Sequence, residues 1–346
     1  MDNPFSLSFG KEPLKYISRE QEREQIISDF SSAYPSSNIY MLTGVRGSGK
    51  TVLLSSVANE LRKNSNWIVI DLNSERNMFS DLAAELNYRN EMIPILSGAK
   101  IDLSFMGIGV NVNTDRDPIT AIDKALSNLT EKGKRVLITI DEVLSDSRTR
   151  EFAAQFQIYL RKGYQVFLLM TGLYDNISKL QDGKALTFLY RAPRIEVGPL
   201  SLREIARSYA DTFTLDSKEA FSMAEATKGY AYAYQILGYL CCRHECTFRQ
   251  IMDKYDTYLF ERVYDKLWAE MSGNDRKACS AIAMGSTSVE DIRKRVGMSS
   301  NTFSVYRSRL LKKGICHSPQ YGHLAFTLPR FEEYVKDVTG GLSMND

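Results

Sequence analysis

Between residues 38 and 197, short and nearly unbroken apolar runs alternate with stretches whose apolar residues fall on one helical face. The runs Asn38–Thr43, Trp67–Leu72, Arg135–Ile140 and Gln165–Met170 have the length and continuity of buried strands, and Ile195–Val197 reads as a last short strand. Between them, 51–61 places Leu54, Val57, Ala58 and Leu61 at i, i+3, i+4 and i+7, the spacing of a helix with one apolar side. Further helices are predicted over 81–88, 119–130, 152–160 and 174–180, and one that opens at Ser18 as N-cap and runs to about Phe30. Strands alternating with helices predict a parallel α/β sheet.

One segment breaks that rhythm. Ile101, Leu103 and Phe105 alternate, Gly107 interrupts, and Ile108, Val110 and Val112 alternate again, between Pro94 and Pro118. This predicts a hairpin inserted near 100–113, with no assigned purpose. Beyond Pro199 the pattern turns all-helical: 201–210, 217–227, 230–243 and 258–271 are expected helices. From Asn274 a third rhythm begins. Helices are expected over 276–284, 288–297 and 300–313, then two short strands around Pro319-Gln320-Tyr321-Gly322. Three helices followed by a β-hairpin describe a winged helix-turn-helix. The expected domains are therefore 1–199, an α/β domain with an N-terminal arm; 200–272, a helical lid; and 273–346, the winged helix.

Composition narrows the class. The chain has 346 residues, 43% hydrophobic and 25% charged, with a formal net charge of +2. Such a small excess excludes strong global attraction to nucleic acid or membrane, so any basic surface is local. Five cysteines without a framework spacing suggest reduced thiols. No apolar run approaches a membrane span and Met1–Phe5 lacks a signal-peptide layout, so a cytoplasmic location is expected.

The first expected site is Gly44-Val45-Arg46-Gly47-Ser48-Gly49-Lys50-Thr51, between a strand and a helix, which fits G-x-x-x-x-G-K-[ST]. The loop's amides would cradle phosphates, Lys50 would reach the β/γ-phosphates, and the Thr51 hydroxyl would hold Mg²⁺. Arg46 is expected to face solvent. The second is Asp141-Glu142, at the carboxyl end of an apolar strand. Asp141 is expected on Mg²⁺, and Glu142 is expected to polarise the water that attacks the γ-phosphate. Thr171 closes the next strand and serves either the γ-phosphate and attacking water or the N-cap of the following helix. Arg191, and more weakly Arg194, could stabilise a transferring phosphoryl group from this subunit or a neighbour. Cys241-Cys242-Arg243-His244-Glu245-Cys246 continues an apolar helix, a poor layout for zinc.

In this order, Gly44–Thr51, Asp141-Glu142, Thr171 and Arg191 resemble Walker A, Walker B, sensor 1 and the arginine finger of AAA+ ATPases. Tyr16-Ile17-Ser18-Arg19-Glu20-Gln21-Glu22 resembles the F-x-G-R-E-x-E box that precedes the P-loop in archaeal-type, STAND-like and origin-recognition ATPases, with Ser18 in place of glycine. The resemblance looks closest to bacterial AAA-family ATP-binding proteins. It implies an α/β P-loop NTPase fold of AAA+ type followed by a helical lid and a C-terminal winged helix. It also implies ATP and Mg²⁺ as ligands, ATP hydrolysis, and a box around Ile17 that approaches the adenine. The lid departs from the family pattern: Gly229-Tyr230-Ala231-Tyr232 has neither the proline nor the sensor 2 arginine of G-x-P-R. That favours a switch over a hexameric motor.

On the third helix of the last segment, Phe303, Tyr306 and Leu310 are expected to pack inward. Duplex DNA would then meet Asn301, Thr302, Val305, Arg307, Arg309, Lys312 and Lys313. The alternatives are a DNA-binding module with a regulatory, weakly hydrolytic nucleotide site, or a segment that holds a protein partner or a second copy of the chain. No membrane partner is expected.

Overall fold

Nearly unbroken apolar strands must be covered on both sides, and in the computed structural model the runs Ile39–Thr43 and Val166–Gly172 are buried at every residue. The structure describes residues 3–8, 13–96, 117–183 and 186–340, without the side chains of 90–96. The predicted hairpin near 100–113 lies outside the described residues. The chain divides into two compact units, Glu20–Thr43 with Leu53–Ile195, and Met1–Arg19 with Gly44–Val52 and Glu196–Asp346.

The first unit holds the sheet. In chain order its elements are α1 (Glu20–Ser31), β1 (Ile39–Thr43), α2 (Lys50–Arg62, whose first turn belongs to the second unit), β2 (Trp67–Asn73), α3 (Met78–Leu96), α4 (Pro118–Glu131), β3 (Arg135–Asp141), α5 (Ser147–Arg161), β4 (Val166–Gly172), α6 (Tyr174–Gln181), α7 (Thr187–Tyr190) and β5 (Arg194–Glu196). The strand order is β2-β3-β4-β1-β5, and β2–β3, β3–β4 and β4–β1 pair in parallel. Successive side chains leave opposite faces. Ile39, Met41, Ile138, Ile140, Leu168 and Met170 join a core with Leu82, Ile122, Phe152 and Phe156 from α3, α4 and α5. On the other face Phe30 of α1 packs on Tyr40 and Phe167, and Phe167 on Trp67.

Polar first turns explain where helices begin before their apolar faces do. The Asn77 side chain accepts from the amides of Phe79 and Ser80, so α3 starts at Met78 rather than 81. Asp146 accepts from the Thr149 amide at 2.9 Å, so α5 starts at Ser147 rather than 152.

The second unit is helical. It contains α8 (Leu202–Phe213), α9 (Ser217–Glu225), α10 (Ala231–His244), α11 (Met252–Leu259), a π-helical turn at Phe260–Tyr264, α12 (Asp265–Ala269), α13 (Gly273–Ala283), α14 (Val289–Val296), α15 (Ser300–Lys312), an antiparallel pair β6 (Cys316–His317) and β7 (Ala325–Phe326), and α16 (Phe331–Gly340). The helix expected over 258–271 begins earlier, at Met252, after a 3₁₀ turn closed by a Thr247–Gln250 capping box. One core runs from Phe5 through α8, α10 and α13 to Val335. The N-terminal arm is part of it. Phe5 is buried beside Gly238, where a Cβ would come within 2.6 Å of its ring, and Asn3 donates to the Tyr239 carbonyl. Among the described residues no helix is long and apolar enough to cross a membrane.

Candidate active site

The parallel register gathers strand ends at one edge of the sheet. Thr43 pairs with Gly172 and Leu42 with Thr171, while Ile140 pairs with Met170. Asp141 and Thr171 therefore end neighbouring strands, and the chain leaves β1 into Gly44. In open α/β sheets, ligands bind outside these carboxyl ends.

In the sheet unit, Thr171 is fully buried and its hydroxyl has two duties. It donates to Asp141 Oδ1 and accepts from the Glu142 amide at 2.9 Å. It is not a helix N-cap: Leu173 occupies that position on α6. Glu142 is exposed and has φ 52°, the left-handed region that a β-carbon makes costly by about 1 kcal/mol. Its amide bond to Thr171 and the Ser74 hydroxyl on its carbonyl hold that conformation. Non-glycine residues kept there cluster at functional sites. Arg191 caps α7 and is exposed, and no described residue bonds its guanidinium. Arg194 instead lies over the Tyr174 ring at 4.9 Å, a structural use of its charge.

The glycine loop lies in the second unit, and there every backbone carbonyl from Gly44 to Ser48 has a donor. Lys50, 7% exposed as a residue, donates through Nζ to the carbonyls of Gly44 (3.1 Å) and Val45 (2.9 Å). The Tyr230 hydroxyl donates to Arg46 at 2.5 Å, the Tyr232 amide to Gly47 at 3.1 Å, and Arg19 Nη2 to Ser48 at 3.1 Å. Arg19 also donates to the Gly198 carbonyl at 2.5 Å. Buried backbone groups need such partners. Gly47, at φ 76°, has no room for a side chain, since a Cβ would stand 2.2 Å from the Tyr230 hydroxyl. Arg46, expected in solvent, is half-buried with Glu270 at 3.7 Å. Glu270, the C-cap of α12, is thus its charged neighbour.

A cavity of about 660 Å³ adjoins the loop within this unit, in the size range of small-molecule sites. Val45, Ser48, Pro199, Tyr230 and Ala231 wall it, together with Gly314, Cys316 and His317 from the C-terminal segment. Ser48 Oγ lines it, buried and without a hydrogen-bond partner among the described residues. An orphaned buried hydroxyl on an otherwise mainly apolar wall leaves one place for a polar atom of a ligand.

Residues 18–167 match a family model described as an ATPase domain predominantly from Archaea. Residues 261–335 match a second model, described as a domain of unknown function. No curated protein matches the chain in sequence. Among solved structures it is similar to the Walker-type ATPase of Pyrococcus abyssi, at 17% identity and TM-score 0.68, over 92% of this chain and 95% of that one. It is also similar to the Aeropyrum pernix ORC2 protein in its ADPNP–ADP complexes, at 14% identity and TM-score 0.61 over 98% of both chains. A third is Cdc6p from Pyrobaculum aerophilum, at 14% identity and TM-score 0.51, over 99% and 98%. At these identities the likeness establishes a shared fold along nearly the whole chain.

The expected DNA face needs one correction. On α15, Phe303 and Leu310 are buried and Asn301, Thr302, Val305 and Lys312 are exposed, whereas Arg307 and Lys313 are half-buried. Arg309 does not point outward. Its Nε and Nη2 reach Asp275 Oδ1 at 3.0 and 2.7 Å, and Asp275 is 2% exposed. A buried carboxylate needs a paired cation, and that need claims the arginine. Arg309→Ala should lower unfolding stability by about 2 kcal/mol, read from denaturant midpoints, because Asp275 loses its cation and keeps only the Ser272 amide and hydroxyl as donors among the described residues. An unchanged midpoint would show that the pair contributes nothing.

Proposed function

We propose that the chain is an ATP-hydrolysing molecular switch that binds Mg-ATP on Gly44–Thr51. The observation that carries the reading is the anchoring of all five loop carbonyls from Gly44 to Ser48, with Ser48 Oγ buried beside a cavity and without a partner among the described residues. A loop so held presents its amides to phosphate at little ordering cost. Lys50 and the amides bind the phosphate chain. Glu142 takes the proton of the attacking water, and Thr171 acts one step back, as a positioning residue for Asp141. Thr51 and Asp141 are the residues that would hold Mg²⁺, which supplies charge neutralisation at the transferring phosphoryl group. Arg191 offers a guanidinium to the same charge, in its own subunit or a neighbour's.

The reading divides the chain into an ATPase domain over 1–199, a lid over 200–272 and a winged helix over 273–346. The cavity wall joins loop residues Val45 and Ser48 to Gly314, Cys316 and His317, and Lys228 Nζ donates to the Phe326 carbonyl. These contacts support coupling of nucleotide state to the C-terminal segment. Its outer surface is proposed to meet duplex DNA through Asn301, Thr302, Val305, Arg307, Lys312 and Lys313, with Arg309 withdrawn from the set. Full-length protein titrated with duplex DNA at several salt concentrations, in ATP and in ADP, tests this. Affinity should fall as salt rises, and should differ between the nucleotides by about fivefold or more. Equal affinity in both would remove the switch, and no binding at all would remove the DNA face.

A further inference from the structure

Two lid residues hold two consecutive peptides of the glycine loop. The Tyr230 hydroxyl donates to the Arg46 carbonyl at 2.5 Å, and the Tyr232 amide to the Gly47 carbonyl at 3.1 Å. In a planar trans peptide the carbonyl oxygen and the following N–H point in opposite directions. Fixing the Arg46 oxygen toward the lid therefore turns the Gly47 N–H away from the lid and into the loop's interior. The next peptide behaves likewise, and the Ser48 amide turns inward to the Val45 carbonyl at 3.2 Å. Glycine at 47 adds no β-carbon to fix that peptide, and at φ 76° it depends on outside bonds for its orientation. Tyr230 is 4% exposed, and burial pushes its phenol well above the ordinary value, so it stays a neutral donor across the accessible pH range.

We infer that Tyr230 is a positioning residue for the phosphate loop, its hydroxyl orienting the Arg46–Gly47 peptide so that the Gly47 amide donates to the nucleotide's phosphate chain. The inference rests on the nucleotide-binding reading of Gly44–Thr51. It gives the stretch Gly229–Tyr232, which has neither the proline nor the arginine of the family pattern, a direct mechanical link to the phosphates. When the lid moves, the Arg46 carbonyl loses its donor and the amide loses its aim.

Tyr230→Phe removes one oxygen and keeps the ring that packs in the core. Equilibrium titration with ATP and with ADP, and steady-state hydrolysis with Mg²⁺, read the result in the full-length chain, with circular dichroism confirming the fold. Both nucleotides should bind about three- to tenfold more weakly, by one common factor, as for the loss of one neutral hydrogen bond. The ATPase KM should rise with kcat unchanged, because the amide serves ground and transition states alike. A folded variant with wild-type ATP and ADP affinity would overturn the inference while leaving the nucleotide reading intact. A fall in kcat at unchanged KM would also overturn it, by moving the hydroxyl's role to the chemical step. Absence of ATP binding by the wild-type chain would overturn the nucleotide reading itself.

Discussion

Lys50→Ala should weaken ATP binding at least about 100-fold, the loss of charge-assisted hydrogen bonds to phosphate. Lys50 is buried and its ammonium is bonded to the carbonyls of Gly44 and Val45. The loop's other cation, Arg46, lies 3.7 Å from Glu270, so its charge is already engaged there. Alanine also leaves the Gly44 carbonyl without the donor that folds the loop around it, which adds to the loss. Isothermal titration of the folded variant reads the effect. Unchanged affinity would sink the assignment of Gly44–Thr51 as the phosphate site.

Glu142→Gln should have the opposite profile, with ATP bound and turnover lowered by about 10²–10⁴, the usual contribution of a general base. Glutamine keeps the size of the side chain and asks nothing new of the backbone at φ 52°, where the Glu142 amide is tied to Thr171. Asp141 keeps its hydrogen bond from the Thr171 hydroxyl. The change is thus confined to one carboxylate, and a loss of turnover at constant affinity reports on chemistry alone. Normal turnover would remove Glu142 from the role.

The sheet was legible because strands such as 67–72 and 165–170 are apolar on consecutive residues, which little but a two-sided sheet explains. Helix starts were less so, since α3 and α5 open on polar turns capped by Asn77 and Asp146. The last helix, α16, shows Phe331, Tyr334, Val335 and Val338 at helical spacing, a signal present in the sequence and not read from it. Short α7 has only four residues and no period to detect.

Within the candidate site, fixed spacing and strand context marked Gly44–Thr51 and Asp141-Glu142. The groups that hold the loop were not legible. Tyr230 lies 184 residues from Arg46, and a single sequence carries no sign of that contact. Gly229–Tyr232 read only as a lid lacking a family arginine, yet its tyrosine supplies a hydroxyl to the loop. Arg309 misled for a related reason. Helical periodicity put it on an outer face, whereas a buried carboxylate 34 residues earlier draws it back.

The central claim, that Gly44–Thr51 binds ATP and Glu142 drives its hydrolysis, meets its most direct test in phosphate release at saturating Mg-ATP by the wild type and Glu142→Gln, with ATP affinity measured on the same samples. Wild type should release phosphate continuously, while the variant binds ATP equally well and releases at most about 1% as fast. Equal release by the two proteins, or no ATP binding by the wild type, would contradict it.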